Sequence, residues 1–260
     1  MVQRLTMILI MLLSTLGRAA ADPSPQAWEV AKSDHFVVYF HDAPPRYLDQ
    51  LIARAERHYH QITTQLGFTR FDGFWTWEER AKIYLYRDRD EYQRMTHQPE
   101  WSEAGANVVE RELHTYVEME DFLELVLPHE LGHIIFREFI GSRRPLPLWL
   151  DEGIACFLEE GRKSARLTAA KALVDSERFI PLERLCALRK EQLVEPEPFY
   201  AEAASLIEFL FRQHGQERFV DYCRRMRDGQ EWRDALKTVY GFRNLSEMEE
   251  AWVAFLKSSP

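Results

Sequence analysis

Two short stretches of this chain carry residue types at spacings that suit metal chemistry. They are Leu127-Pro128-His129-Glu130-Leu131-Gly132-His133 and, soon after, Trp149-Leu150-Asp151-Glu152-Gly153. Residues four apart on a helix are separated by about 40° around the axis and about 6 Å along it. His129 and His133 can therefore aim two imidazoles at one ion, and Glu152 supplies a carboxylate as the third ligand. Glu130 is rotated about 100° from His129, which suits reaching a water beside the ion rather than the ion itself. Three protein ligands and one open position are what catalytic zinc needs to bring the pKa of a water toward neutrality. The spacing predicts one Zn2+ per chain, with Glu130 as general base.

A His-Glu-x-x-His string alone also describes an ordinary polar helix face. Here it lies in an apolar helical run of Phe122, Leu125, Val126, Leu131, Ile134, Ile135 and Phe136. Its polar groups then sit in a buried helix, where unpaired charge is costly. Glu120 and Asp121 open the run and suit the positive end of a helix dipole. Gly141, with Pro145 soon after, ends it, and a second short helix from about Pro147 carries Glu152. Pro128 should remove a hydrogen bond and kink the helix just before His129, unless the helix starts later.

The elements that must position these groups read as α+β. His35 to Phe40 is rich in strand formers, and Ala81 to Tyr86 alternates Ile83 and Leu85 against Tyr84 and Tyr86. Ala106 to Val109 and His114 to Glu118 are two further strand candidates. Arg46 to Leu66 has Leu48, Leu51, Ile52, Ala55, Tyr59 and Ile62 on one face and is ended by Gly67. Beyond Glu160 nearly everything reads as helix, including Ala203 to Leu210 and Trp232 to Val239. Ser246 with Glu249 reads as a capping box before Met248, Ala251, Trp252 and Phe255. The boundaries expected are a sheet and zinc-helix subdomain over 22–160 and a helical subdomain over 161–260, the second closing one wall of a cleft.

Residues 1–21 read as a secretory signal peptide. Arg4 supplies a basic start, Met7 to Leu13 an apolar stretch short for a bilayer, and Ala19-Ala20-Ala21 small residues for cleavage before Asp22. The other reading is an uncleaved anchor. The mature chain is expected to be exported, with no stable membrane insertion. A formal net charge of −9 argues against nucleic-acid and anionic-membrane partners, which favour basic patches. Oligomeric state is left open. Only Cys156, Cys186 and Cys223 are present, so no disulfide scaffold is built. Cys156 reads as a small core residue, with zinc competition as the alternative, and a Cys186–Cys223 bridge is left open. His58 and His60, two apart on a helix, cannot chelate together and read as surface or packing residues. His35, His41, His97, His114 and His214 have no ligand-like neighbour in sequence.

His129-Glu130-Leu131-Gly132-His133, eighteen residues, then Glu152 within Trp149-Leu150-Asp151-Glu152-Gly153-Ile154-Ala155, resembles the gluzincin metallopeptidases. The second-helix signature is similar to that of zinc aminopeptidases, and the size and layout resemble the small peptidase-MA-like proteins called minigluzincins. The resemblance spans roughly residues 34–256, with its specific motifs at about 127–160. It implies a thermolysin-like zincin catalytic domain with a small N-terminal mixed sheet and a helical C-terminal subdomain. It also implies hydrolysis of a peptide or protein substrate, with an oxyanion donor from the helical part, for which Tyr200 is the candidate; the other reading of Tyr200 is a packing residue. Asp151 would orient a ligating histidine, and substrate would pair with an edge strand of the sheet. Ala104-Gly105-Ala106-Asn107-Val108 is faintly similar to the aminopeptidase edge segment but lacks the glutamate expected after it, which leaves endopeptidase and aminopeptidase specificity both open. A peptide-binding protein that keeps the fold without turnover is the alternative from another class, and the intact Glu130 argues against it.

Overall fold

The computed structural model describes residues 27–68, 79–97 and 104–258. The signal peptide and cleavage site expected over residues 1–22 lie outside them. The chain is mixed α+β, with a small N-terminal mixed sheet and a mostly helical remainder. Five strands, β1 (Glu29–Lys32), β2 (Phe36–Phe40), β3 (Ala81–Tyr86), β4 (Gly105–Asn107) and β5 (Glu112–Tyr116), are ordered β1-β2-β3-β5-β4. β2, β3 and β5 run parallel, with Val38 opposite Ile83 and Ile83 opposite Leu113. Both edge strands, β1 and β4, are antiparallel to their neighbours.

Alternation decides which face is covered. Phe36, Val38, Ala81, Ile83, Leu85 and Leu113 are buried on one side of the sheet. The long helix α1 (Pro45–Leu66) connects β2 to β3 and contributes Leu51, Ala55, Tyr59, Ile62 and Leu66 to the same core. Gly67, at φ 73°, ends α1 with its N–H donated to Thr63 O and Thr64 O. Two elements were not expected from sequence. β1 is short and mostly exposed, and α2 (Arg89–Thr96) is polar, started by the Asp88 side chain accepting from Glu91 N. The last two strands begin earlier than expected. The Asn107 side chain accepts from the amides of Val109 and Glu110, and Arg111 is left-handed at φ 55°, so a turn occupies 108–111.

The remainder is α3 (Leu127–Ile140), α4 (Leu148–Phe157), α5 (Glu160–Asp175), α6 (Leu182–Ala187), α7 (Pro196–His214), α8 (Gln216–Arg227), α9 (Trp232–Tyr240) and α10 (Leu245–Ser258). α7 is buried along most of its length and packs on α4 and α5. The start of α10 corrects the expected Ser246–Glu249 capping box. Asn244 Oδ1 accepts from Glu247 N at 2.9 Å, while the Glu249 carboxylate reaches away to accept from Leu182 N. All three cysteines are free and buried.

Glu202 on α7 is fully buried, and both its oxygens stand 3.1 Å from Ile180 N in the connection before α6. Burial, reinforced by the nearby charge of Glu249, pushes its carboxyl up from 4.5 to about 8. A carboxyl raised in the folded state binds more protons folded than unfolded between those two values. Its contribution is full below pH 4.5 and is lost as pH rises through 8. Glu202→Gln, which keeps an acceptor for Ile180 N and cannot ionise, should gain melting temperature relative to the parent as pH is raised from 5 to 9. Parallel melting curves for the two proteins across that range would remove Glu202 as their source.

Candidate metal centre

The histidine helix begins in an unusual way. Asp121 is left-handed at φ 55°, and Phe122–Val126 forms a single π-helical turn in which Leu127 N–H donates to Phe122 O. α3 proper starts only at Leu127, so Pro128 falls in its first turn, where a missing N–H costs nothing. The expected start at Glu120 and Asp121 is thereby corrected: the later start that Pro128 allowed is the one found. A π-turn is one of the devices by which a helix re-aims its side chains.

Two glycines set the distance between the helices that meet at the centre. A Cβ on Gly132 of α3 would stand 2.8 Å from Leu158 Cδ1 and 3.3 Å from Ala155 Cα. A Cβ on Gly153 of α4 would stand 2.7 Å from Ala203 O on α7. α3, α4 and α7 thus approach one another more closely than side chains at these positions would permit.

The result is a triangle of ligand-type atoms. Nε2 of His129 and Nε2 of His133 are 3.2 Å apart, and each is 3.6 Å from Glu152 Oε2. Four-coordinate zinc with bonds of about 2.0–2.1 Å places its ligand atoms roughly 3.4 Å apart. The three edges bracket that value. The far side of each ring is tied to a carboxylate. His133 Nδ1 is 3.2 Å from Asp151 Oδ1, and His129 Nδ1 is 2.7 Å from Glu159 Oε1. A neutral imidazole that donates from Nδ1 carries its lone pair on Nε2. Both rings then turn lone pairs toward each other and toward a carboxylate oxygen, which nothing but a cation or proton between them can compensate.

The electrostatics agree. Burial opposes a charge on His133, but the hydrogen bonds to Asp151 and Glu152 outweigh it and push the ring up to about 10. Burial would raise the carboxyls of Asp151 and Glu152, yet His133 holds both below the ordinary range, with Arg137 adding to the effect on Asp151. The Arg137 guanidinium grips Asp151 with Nε at 3.1 Å from Oδ1 and Nη2 at 2.7 Å from Oδ2. Glu159, 2% exposed, is held in turn by Arg166 Nη2 at 3.0 and 2.8 Å. Each histidine therefore has its own arginine-clamped carboxylate, Asp151 part-buried and Glu159 buried.

His129, His133 and Glu152 come together as the spacing implied, and Asp151 stands against His133 as the resemblance implied. Glu130 is the next residue along α3 and is half-buried. Tyr200 lies in the first turns of α7, half-buried. Burial first, then the charge of Glu152, pushes its phenol up to about 12, so it stays a proton-bearing donor. Cys156 groups with His129 and Glu159, and burial pushes its thiol up. Sequence reasoning missed Glu159, Arg166 and Arg137. Glu159 follows the end of α4, outside the helical spacing that exposed Glu152. An acidic residue directly after the apolar run Ile154-Ala155-Cys156-Phe157-Leu158 was the available signal.

Beside a small mixed sheet, two helices converge two imidazoles and a carboxylate in a group that could hold a metal ion. The sequence agrees: residues 72–258 match the model of the peptidase MA superfamily, and the chain belongs to that superfamily. No curated protein matches the chain in sequence.

Proposed function

We propose that this chain is an exported zinc-dependent peptidase of the gluzincin type, built on a thermolysin-like zincin domain with a helical C-terminal subdomain. The observation that carries this reading is the convergence of two imidazole lone pairs and Glu152 Oε2, with both opposite ring nitrogens held by carboxylates. His129, His133 and Glu152 would hold one Zn2+, which when bound supplies a Lewis acid and lowers the pKa of a water.

The protein's own groups do the rest. Glu130 takes the proton from the attacking water and returns it to the leaving amine. The Tyr200 hydroxyl, kept protonated, donates to the oxyanion of the tetrahedral intermediate. Asp151 and Glu159 keep the two imidazoles in the tautomer that presents Nε2. β4 is the edge strand next to β5 and lies against α3, so an extended peptide pairing along it would pass the centre. Among the described residues no helix is long and apolar enough to cross a membrane.

Digestion of a broad peptide library by zinc-loaded protein, with a chelator-treated control, tests the proposal. Cleavage that stops on chelation and returns with zinc is the expected result. Zinc-loaded protein that cleaves nothing would favour a peptide-binding role. Tyr200→Phe should keep fold and metal and slow turnover by about 10²–10³-fold, the usual loss for one oxyanion donor. Unchanged turnover would remove Tyr200 from the mechanism and leave the rest standing.

A further inference from the structure

Ligand-type side chains also converge away from the metal helices. His35 comes from the turn between β1 and β2, while Glu56 and His60 sit one helical turn apart on α1, the same spacing that pairs His129 with His133. One nitrogen or oxygen from each lies within 4.8 Å of those of the other two. In sequence His35 has no ligand-like neighbour, and His60 is exposed as a surface residue would be. Their neighbours in space come from an element some twenty residues away in the chain.

Two of the three groups are already oriented. The main-chain N–H of His35 donates to Glu56 Oε1 at 2.9 Å, and His35 Nδ1 stands 2.6 Å from Glu56 Oε2. The His35 ring is stacked on Tyr59, with centroids 3.9 Å apart, and meets the His60 ring edge-on at 5.3 Å. Burial would raise the Glu56 carboxyl, but its hydrogen bonds hold it below the ordinary range, so it is an anion at neutral pH. His60 is exposed and free to rotate toward the pair. An ion pair accounts for His35 and Glu56 alone; it makes no use of the third donor.

We propose that His35, Glu56 and His60 form a second metal site, for a borderline divalent ion of the Zn2+ class, which clasps the β1–β2 turn to α1. Two imidazoles and one carboxylate suit Zn2+, Ni2+ or Cu2+ and do not suit Mg2+ or Ca2+, which take oxygen ligands. Zinc needs its ligand atoms roughly 3.4 Å apart, so the cluster closes by a rotation of the exposed His60 and a slight opening of the His35–Glu56 contact. Because His60 is exposed and must rotate into place, this ion binds more weakly than the one between α3 and α4. The site is independent of peptidase activity, since none of its residues belongs to the proposed catalytic machinery.

The test is zinc binding to untagged, chelator-stripped protein by equilibrium dialysis, with melting temperatures read on the same samples. The parent should saturate at two equivalents. His60→Ala should saturate at one, with its metal-free melting temperature unchanged because the residue is exposed, and should lose the rise in melting temperature that accompanies the weaker ion. Glu152→Ala should retain the weaker ion, which separates this site from the proposed centre. A parent whose only zinc survives His60→Ala overturns the proposal. So does a second equivalent that persists in both His60→Ala and His35→Ala.

Discussion

Replacing Glu130 with glutamine should leave one zinc ion at the centre and abolish peptide hydrolysis. The amide has nearly the volume of the carboxylate and lies beside the ligands rather than among them, so metal content and melting temperature should match the parent. What the amide cannot do is accept a proton at neutral pH. General base catalysis contributes about 10²–10⁴-fold, and here the same group is also asked to protonate the leaving amine. The loss in kcat should therefore lie at or beyond the upper end of that range. Measurement of zinc content and turnover on one preparation decides it. Normal turnover in Glu130→Gln would sink the mechanism, and loss of zinc in that variant would place Glu130 among the ligands.

Glu152→Ala should have the largest effect on the metal itself. It removes one of three ligands and leaves His129 and His133 with Nε2 atoms 3.2 Å apart and no anion between them. Loss of a supporting partner alone typically costs about 10–100-fold in metal affinity, and loss of a ligand costs more. The variant should fail to hold stoichiometric zinc between α3 and α4 at neutral pH. Full occupancy there would mean that the ligand set is wrong. In the parent, zinc must displace the proton that His133, pushed up to about 10, otherwise carries. Affinity should accordingly fall as pH is lowered, because each ligand must be deprotonated to bind.

The parts of this centre that were legible in the sequence are those set by a single helical period. His129, His133 and Glu130 are fixed relative to one another by 3.6 residues per turn, and Glu152 lies in the next helix after a short connection. Asp151 was legible through the resemblance its neighbours carry. Glu159 was not, because it leaves the end of α4 and reaches His129 by the path of the chain there, which no periodicity encodes. The π-turn was half visible. Pro128 signalled an irregularity, but its relief by Leu127 N–H reaching Phe122 O depends on backbone geometry that residue types do not specify. In the fold, α1 and β3 were legible from strong periodic patterns, whereas β1 and α2 are short and polar and offer almost none. His35 with Glu56 and His60 was hidden for a different reason: the contact is between a turn and a helix, and sequence separation conceals it.

The contact of Gly153 with Ala203 limits how the centre can move. Where two helices meet backbone to backbone, no rotamer change can let them part or slide, so α4 and α7 carry Glu152 and Tyr200 as one block. Breathing that admits a substrate or releases products cannot be borrowed from that wall. On the opposite side β4 is three residues long, and a Cβ on Gly105 would meet nothing within 4 Å. On the proposed peptidase reading, the α4–α7 side is the fixed anvil of the cleft.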